Sequence, residues 1–278
     1  VLRPLAAPVG ADVNSLHVDN FNNATGVGFG SYTQTSGGQQ QTIKFVLANG
    51  AIKTVPNLGT ANINIYGVNS SGDAIGSYSD AQGQHSFVFK YSTGVATQFN
   101  VDGADSTTLS AIDDTGLLAG TYATSVTTNG VPTSVTNAFV INGATTQTYS
   151  IGSDPAGASS FANFWIQGVN GSYLWGTHDN QPAGGPQHWF TYNTSSGVLT
   201  PFDAASLGAG IQNIWITGVG LNGVVLGSYN DSNGNYHNFV ESNGVVSTLN
   251  YPGALSTNIN GIDQAGNIYG NYSTGSIG

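Results

Sequence analysis

Gly227-Ser228-Tyr229-Asn230-Asp231-Ser232-Asn233-Gly234-Asn235-Tyr236-His237-Asn238-Phe239-Val240-Glu241 is the stretch that decides the fold. The same order of parts occurs at Gly76-Ser77-Tyr78, then Asp80-Ala81-Gln82-Gly83, then His85-Ser86-Phe87. A Gly-x-Tyr tripeptide leads through a hairpin turn to a His-x-Phe tripeptide. His85 to Lys90 and His237 to Glu241 each place polar residues around a Phe-Val core and read as half-buried strands.

Outward from this pair, Gly-x-Tyr or a close variant recurs six times, at intervals of 43 to 56 residues. The copies are Gly30-Ser31-Tyr32, Gly76-Ser77-Tyr78, Gly120-Thr121-Tyr122, Gly176-Thr177-His178, Gly227-Ser228-Tyr229 and Gly270-Asn271-Tyr272. Turns of the form Asx-x-x-Gly precede them, as at Asn69-Ser70-Ser71-Gly72 and Asp263-Gln264-Ala265-Gly266. Asp and Asn start such turns by bonding their own backbone, and Gly accepts positive φ. An x-x-Phe strand follows at Phe45, Phe87, Phe139, Phe190 and Phe239. A fourth segment then runs to a corner, clearest at Pro252-Gly253-Ala254. The two longer intervals hold insertions near 124–134 and 179–186.

Four short strands per copy predict one antiparallel meander. Such a sheet cannot bury both faces alone, and radial stacking of copies does so. The expectation is therefore an all-β chain, a β-propeller of six four-stranded antiparallel blades, forming a single domain over 1–278; five blades is the alternative. Val1 to Pro8 aligns with Val245 to Pro252, so the N-terminus reads as the fourth strand of the blade that holds Tyr272. The two termini would share that closing blade. Its x-x-Phe strand is missing: either it lies in polypeptide outside these 278 residues, or the blade has three strands, and an unfilled edge would be open to self-association.

Composition bounds the partners. Charged residues make up 6% of the chain, with four Lys and Arg against fourteen acids and a net charge of −10. Nucleic acid and anionic membranes both require clustered basic residues, so neither is an expected partner. No apolar run is long enough to span a bilayer. Cysteine is absent, which removes disulfide and thiolate chemistry. Methionine is absent even at position 1, so the chain is expected to be processed, trimmed or a fragment. Low charge with abundant Gly, Asn, Ser and Thr fits a bacterial secreted or cell-surface protein.

The succession Asx-x-x-Gly, Gly-x-Tyr, His-x-Phe, Pro-Gly-Ala resembles the bacterial extracellular repeats named for a His-Ala-Phe (HAF) tripeptide. His85-Ser86-Phe87 and Pro252-Gly253-Ala254 carry the resemblance best. Ile43 and Asn137 depart from it at the histidine position. The resemblance implies a secreted or surface location and supplies no catalytic residue.

Three groups of residues are candidates for chemistry. Trp165 and Trp215 occupy the same repeat position, where other copies have Asn64 and Asn258, and Trp175 and Trp189 fall in the same region. They read either as packing between blades or as a platform for the apolar face of a sugar, with Asn, Asp and Gln supplying hydrogen bonds. Asp231, Asn233 and Asn235 have the oxygen ligands of a calcium loop, but no second carboxylate and no bidentate Glu; a plain hairpin turn accounts for the same letters. Calcium is the one ion kept as a candidate, and no other cofactor is expected. His85, His188 and His237 share a position and read as strand residues bonding a neighbour rather than as ligands gathered on zinc, whose ligands must lie within about 2.1 Å.

No nucleophile elbow, zinc-protease motif or phosphate loop occurs. The functional expectation is an extracellular non-enzymatic binding module, lectin- or adhesin-like, for a glycan or another neutral polar surface. The alternatives are a self-assembling surface component and a polysaccharide hydrolase or lyase. The latter would need distant acids such as Asp102, Asp105 and Asp203 to converge.

Overall fold

Five of the six Gly-x-Tyr glycines face a phenylalanine across a strand pair, and that pairing accounts for the repeat. In the computed structural model, Gly30 pairs with Phe45, Gly76 with Phe87, Gly120 with Phe139, Gly176 with Phe190 and Gly227 with Phe239. A Cβ on Gly76 would lie 2.0 Å from the Asn64 carbonyl oxygen and 2.7 Å from the Phe87 ring. The strand before each glycine is bulged close to this point, as between Ile65 and Gly67, and its backbone presses in where a side chain would stand. All five phenylalanines are fully buried, each worth about 1.5–3 kcal/mol of transfer free energy.

The structure describes residues 6–22, 25–59, 62–128, 131–143, 145–149, 161–180, 188–202, 204–263 and 265–274. Tertiary contacts divide the chain into two units, 1–148 and 149–278. In the first unit, β1 (His17–Asn22), β2 (Val27–Ser36), β3 (Gln39–Ala48) and β4 (Ala51–Thr54) make one antiparallel meander. A second holds β5 (Ile63–Val68), β6 (Ala74–Asp80), β7 (Gly83–Lys90) and β8 (Val95–Phe99). The third holds β9 (Ser106–Ile112), β10 (Leu118–Thr128), β11 (Val131–Asn142) and β12 (Thr145–Tyr149). The first insertion is the long hairpin of β10 and β11, paired out to Thr128 and Val131.

In the second unit, the fourth sheet comprises β13 (Phe161–Asn170), β14 (Tyr173–Asn180), β15 (His188–Asn193) and β16 (Val198–Phe202). A one-turn helix, α1 (Ala204–Leu207), precedes the fifth: β17 (Ile211–Val219), β18 (Val225–Asp231), β19 (Tyr236–Ser242) and β20 (Val245–Thr248). The last sheet is two-stranded among the described residues, β21 (Ser256–Ile262) with β22 (Ile268–Ser273). No helix among the described residues is long and apolar enough to cross a membrane.

The fold class is thus all-β, built from successive four-stranded antiparallel meanders of the β-propeller blade type. Of the expected N-terminal strand, residues 1–5 lie outside the described residues and 6–8 are not in a strand.

Within each unit the core lies between consecutive sheets. Val46 and Ala48 of the first sheet pack with Phe87 and Phe89 of the second. Ile75 of the second packs with Leu109 and Phe139 of the third. Phe239, Ile214 and Ile216 of the fifth pack with Trp175 and Trp189 of the fourth.

This layering changes the reading of His85–Lys90 as a half-buried strand. A half-buried strand leaves Ser86 in water, yet Ser86 is only 2% exposed. The following sheet covers that face, so β7 is buried on both sides at this point.

Candidate binding surface

Trp165 and Trp215 stand opposite the middle residue of Gly-x-Tyr, Trp165 paired with Thr177 and Trp215 with Ser228. Their strand neighbours Phe164, Ile166, Ile214 and Ile216 are buried in the core. Successive side chains on a strand point to opposite faces, so the intervening tryptophans point out of the core. Trp165 is 41% exposed and Trp215 43%. The same register position holds Asn64, Thr108 and Asn258 in other sheets, all exposed. Polar residues there are the sequence signal that distinguishes this position from a core one.

Trp175 and Trp189 are placed differently. Both are partly buried and packed against the cluster of Phe239, Ile214 and Ile216. Trp175 is paired with Gly168, and its ring takes the space of an absent side chain: a Cβ on Gly168 would lie 1.9 Å from ring atom Cζ2. The four tryptophans therefore divide into an outward pair on β13 and β17 and a packing pair on β14 and β15. The insertion expected beside them falls mostly on 181–187, outside the described residues.

The electrostatic setting of the outward pair follows from the sequence. Residues 149–278 contain no Lys or Arg, and the chain's net charge is −10. A ligand with formal negative charge would find no basic side chain on this unit. A neutral polar one pays no such penalty.

Asp231, Asn233 and Asn235 come together in one hairpin turn. The Asn233 and Asn235 amides donate to Asp231 Oδ1 at 2.8 and 2.9 Å. The Asn235 side-chain amide donates to Oδ2 at 3.0 Å, and His237 Nε2 lies 3.1 Å from the same oxygen. These contacts, the Asn235 side chain foremost, hold the Asp231 carboxyl well below the usual carboxylate range. A calcium ion here would have to displace those donors. Among the described residues no three His, Asp or Glu side chains gather around a common point.

The histidines of His-x-Phe each face the third residue of Gly-x-Tyr. His85 lies against Tyr78 and His237 against Tyr229, with ring centroids 5.1 Å apart in both cases. His188 stacks on His178 at 5.4 Å. His85 Nε2 is 2.9 Å from Asp80 Oδ1, the counterpart of the His237–Asp231 contact. The motif is thus a cross-strand ring pair anchored by the turn aspartate, a relationship that sequence spacing alone did not show. Of the distant acids, Asp102 and Asp105 are exposed near one corner, and Asp203 lies outside the described residues.

No protein-family model matches the chain, and no curated protein matches it. Solved structures are similar at low identity. An acylaminoacyl peptidase matches 93% of this chain with 43% of its own, at 7% identity and a TM-score of 0.49. The β-propeller domain of the Trilobed protease from Pyrococcus furiosus matches 93% of this chain with 92% of its own, at 8% identity and a TM-score of 0.42. The extracellular domain of a one-component system from B. thetaiotaomicron matches 95% with 38% of its own, at 10% identity and a TM-score of 0.43. The chain spans less than half of the first and third of these. Likenesses of this size carry no activity across.

Proposed function

We propose that this chain is an extracellular, non-enzymatic binding module whose ligand is a neutral glycan. The observation that carries the reading is the exposure of Trp165 and Trp215 at one register position of two consecutive sheets, while the other two tryptophans pack into the core. A large apolar ring left in water on a rigid strand is the usual device for gripping the C–H face of a sugar. The exposed amides in register with them, Asn258 among them, are of the type that hydrogen-bonds hydroxyls. The absence of Lys and Arg from residues 149–278 favours an uncharged ligand over a sulfated or phosphorylated one. The HAF-type resemblance supports the extracellular setting.

The test is a glycan array probed with the chain and with the double variant Trp165→Ala/Trp215→Ala. Binding to one or more neutral glycans, lost in a variant with unchanged circular dichroism, is the expected result. Equal binding by both proteins, or binding confined to anionic glycans, overturns the proposal.

A further inference from the structure

In the first unit, each junction between consecutive sheets brings two repeat positions together. One is the residue after the x-x-Phe phenylalanine of the earlier sheet. The other lies two places after that phenylalanine in the later sheet. Between the first and second sheets they are Val46 and Phe89, members of one buried cluster. Between the second and third they are Val88 and Ile141, again packed in one cluster. Between the fourth and fifth sheets the same positions hold Thr191 and Glu241, the chain's only glutamate.

Thr191 and Glu241 both line a cavity of about 470 Å³. Strand alternation places them there. Trp189, two residues before Thr191, packs against the fifth sheet, and Phe239, two residues before Glu241, belongs to the same cluster. Thr191 is only 7% exposed, and its hydroxyl has no hydrogen-bond partner among the described residues.

The hairpin does not require the carboxylate. Glu241 Oε1 accepts from the Gly244 amide at 2.6 Å in the Asn243-Gly244 turn. The Asn49-Gly50 turn has the same two-residue form and the same φ of 53° at its asparagine, with Leu47 standing where Glu241 does. A large apolar residue at 241 would close the junction as Phe89 and Ile141 do. A carboxylate there carries a desolvation cost, which a ligand of opposite charge offsets. Residues 149–278 have no Lys or Arg to do so. The other walls, Tyr173, Asn193 and Thr200 among them, offer hydroxyls and an amide. Departures from a fold's own packing rule concentrate at functional positions.

We propose that the junction of the fourth and fifth sheets is a second ligand site, taking a small hydroxylated primary amine. Its ammonium group donates to the Glu241 carboxylate and the Thr191 hydroxyl, and its own hydroxyls meet Asn193 and Thr200. A cavity of this size admits one amino-sugar residue. The site uses neither Trp165 nor Trp215, so it stands apart from the glycan reading.

The test titrates the isotope-labelled full chain with glucosamine and follows amide chemical shifts. The pH is about 6, where carboxylates are ionised and amines protonated. Saturable shifts at the Thr191, Glu241 and Gly244 amides are expected. Glu241→Gln keeps an acceptor for the Gly244 amide and is expected to weaken binding about tenfold or more, as is acetylation of the amine. Thr191→Val installs the residue that four other sheets carry; it is expected to fold as the parent does and to bind glucosamine more weakly. Absence of saturable shifts at these amides, or equal binding by either variant, overturns the proposal. So does equal binding of N-acetylglucosamine, which would make the cavity a site for neutral sugars.

Discussion

The Ser86 hydroxyl accepts a hydrogen bond from the Leu109 amide at 3.0 Å, joining β7 to β9 of the following sheet. It donates at the same time to the Thr107 carbonyl, also at 3.0 Å. Asn238 repeats the contact in the second unit, donating to Thr257 O at 2.6 Å and accepting from Ile259 N at 3.4 Å. The middle residue of His-x-Phe thus satisfies the backbone of the next sheet's first strand beside its bulge. Ser86→Ala leaves a buried amide without a partner and is expected to cost about 1–3 kcal/mol. Urea unfolding measures it, with exposed Ser92→Ala as a control expected within about 0.5 kcal/mol of the parent.

Gly76→Ala and Gly94→Ala are both expected to destabilise, to different degrees and for different reasons. Gly94 has φ +72° with nothing within 4 Å of a would-be Cβ, so Gly94→Ala is expected to cost about 1–2 kcal/mol of left-handed strain. Gly76→Ala drives a methyl into the Asn64 carbonyl and the Phe87 ring, and its expected cost is about 3 kcal/mol or more. Thermal or urea unfolding of the two variants gives the ranking directly. A milder Gly76→Ala would contradict the account of the repeat.

Three turn aspartates make stability depend on acid pH. The Asp80, Asp231 and Asp263 carboxyls are lowered from the ordinary value of 3.8, chiefly by the side chains of His85, Asn235 and Asn267 respectively. Their ionised forms are favoured in the folded state, so the stability they supply is fully present above about 3.8 and is lost as pH falls through the depressed values. Asp231→Asn keeps an acceptor oxygen, as Asn69 does toward Ser71 and Asp73 in its own turn. The melting temperature of Asp231→Asn is therefore expected to fall less than the parent's between pH 4 and pH 2. Parallel curves would contradict this.

The two tryptophan pairs are expected to separate in stability. Trp175→Ala removes a ring packed between sheets and leaves a cavity over Gly168, with an expected cost of about 3 kcal/mol. Trp215→Ala removes an outward ring and is expected to cost about 1 kcal/mol or less. Chemical denaturation of each single variant checks the order.

Much of the architecture was legible because its constraints are local. A glycine that admits no Cβ, an Asx turn and a buried phenylalanine each leave one fixed letter per copy, and together these mark six repeats. The burial of Ser86 and Asn238 was not legible, because it depends on a neighbouring sheet rather than on their own strand. Asp231 read either as a calcium ligand or as part of a plain hairpin turn, because the letters do not show where its lone pairs go; in the fold the turn's own amides donate to them. The repeat set Trp165 and Trp215 at one position, but did not show which of the four tryptophans face out of the core. The signals that separate them are the Asn64, Thr108 and Asn258 at the position of Trp165 and Trp215, which the repeat carries, and Gly168 opposite Trp175, which only the strand pairing shows.

The central claim is that the outward tryptophans touch the ligand, and the emission of Trp175→Phe/Trp189→Phe tests it most directly. That variant retains only Trp165 and Trp215 as indole fluorophores. Titration with a bound neutral oligosaccharide is expected to give a saturable blue shift whose midpoint matches the affinity measured independently by calorimetry. Calorimetric binding with no change in emission would place the ligand elsewhere and contradict the account.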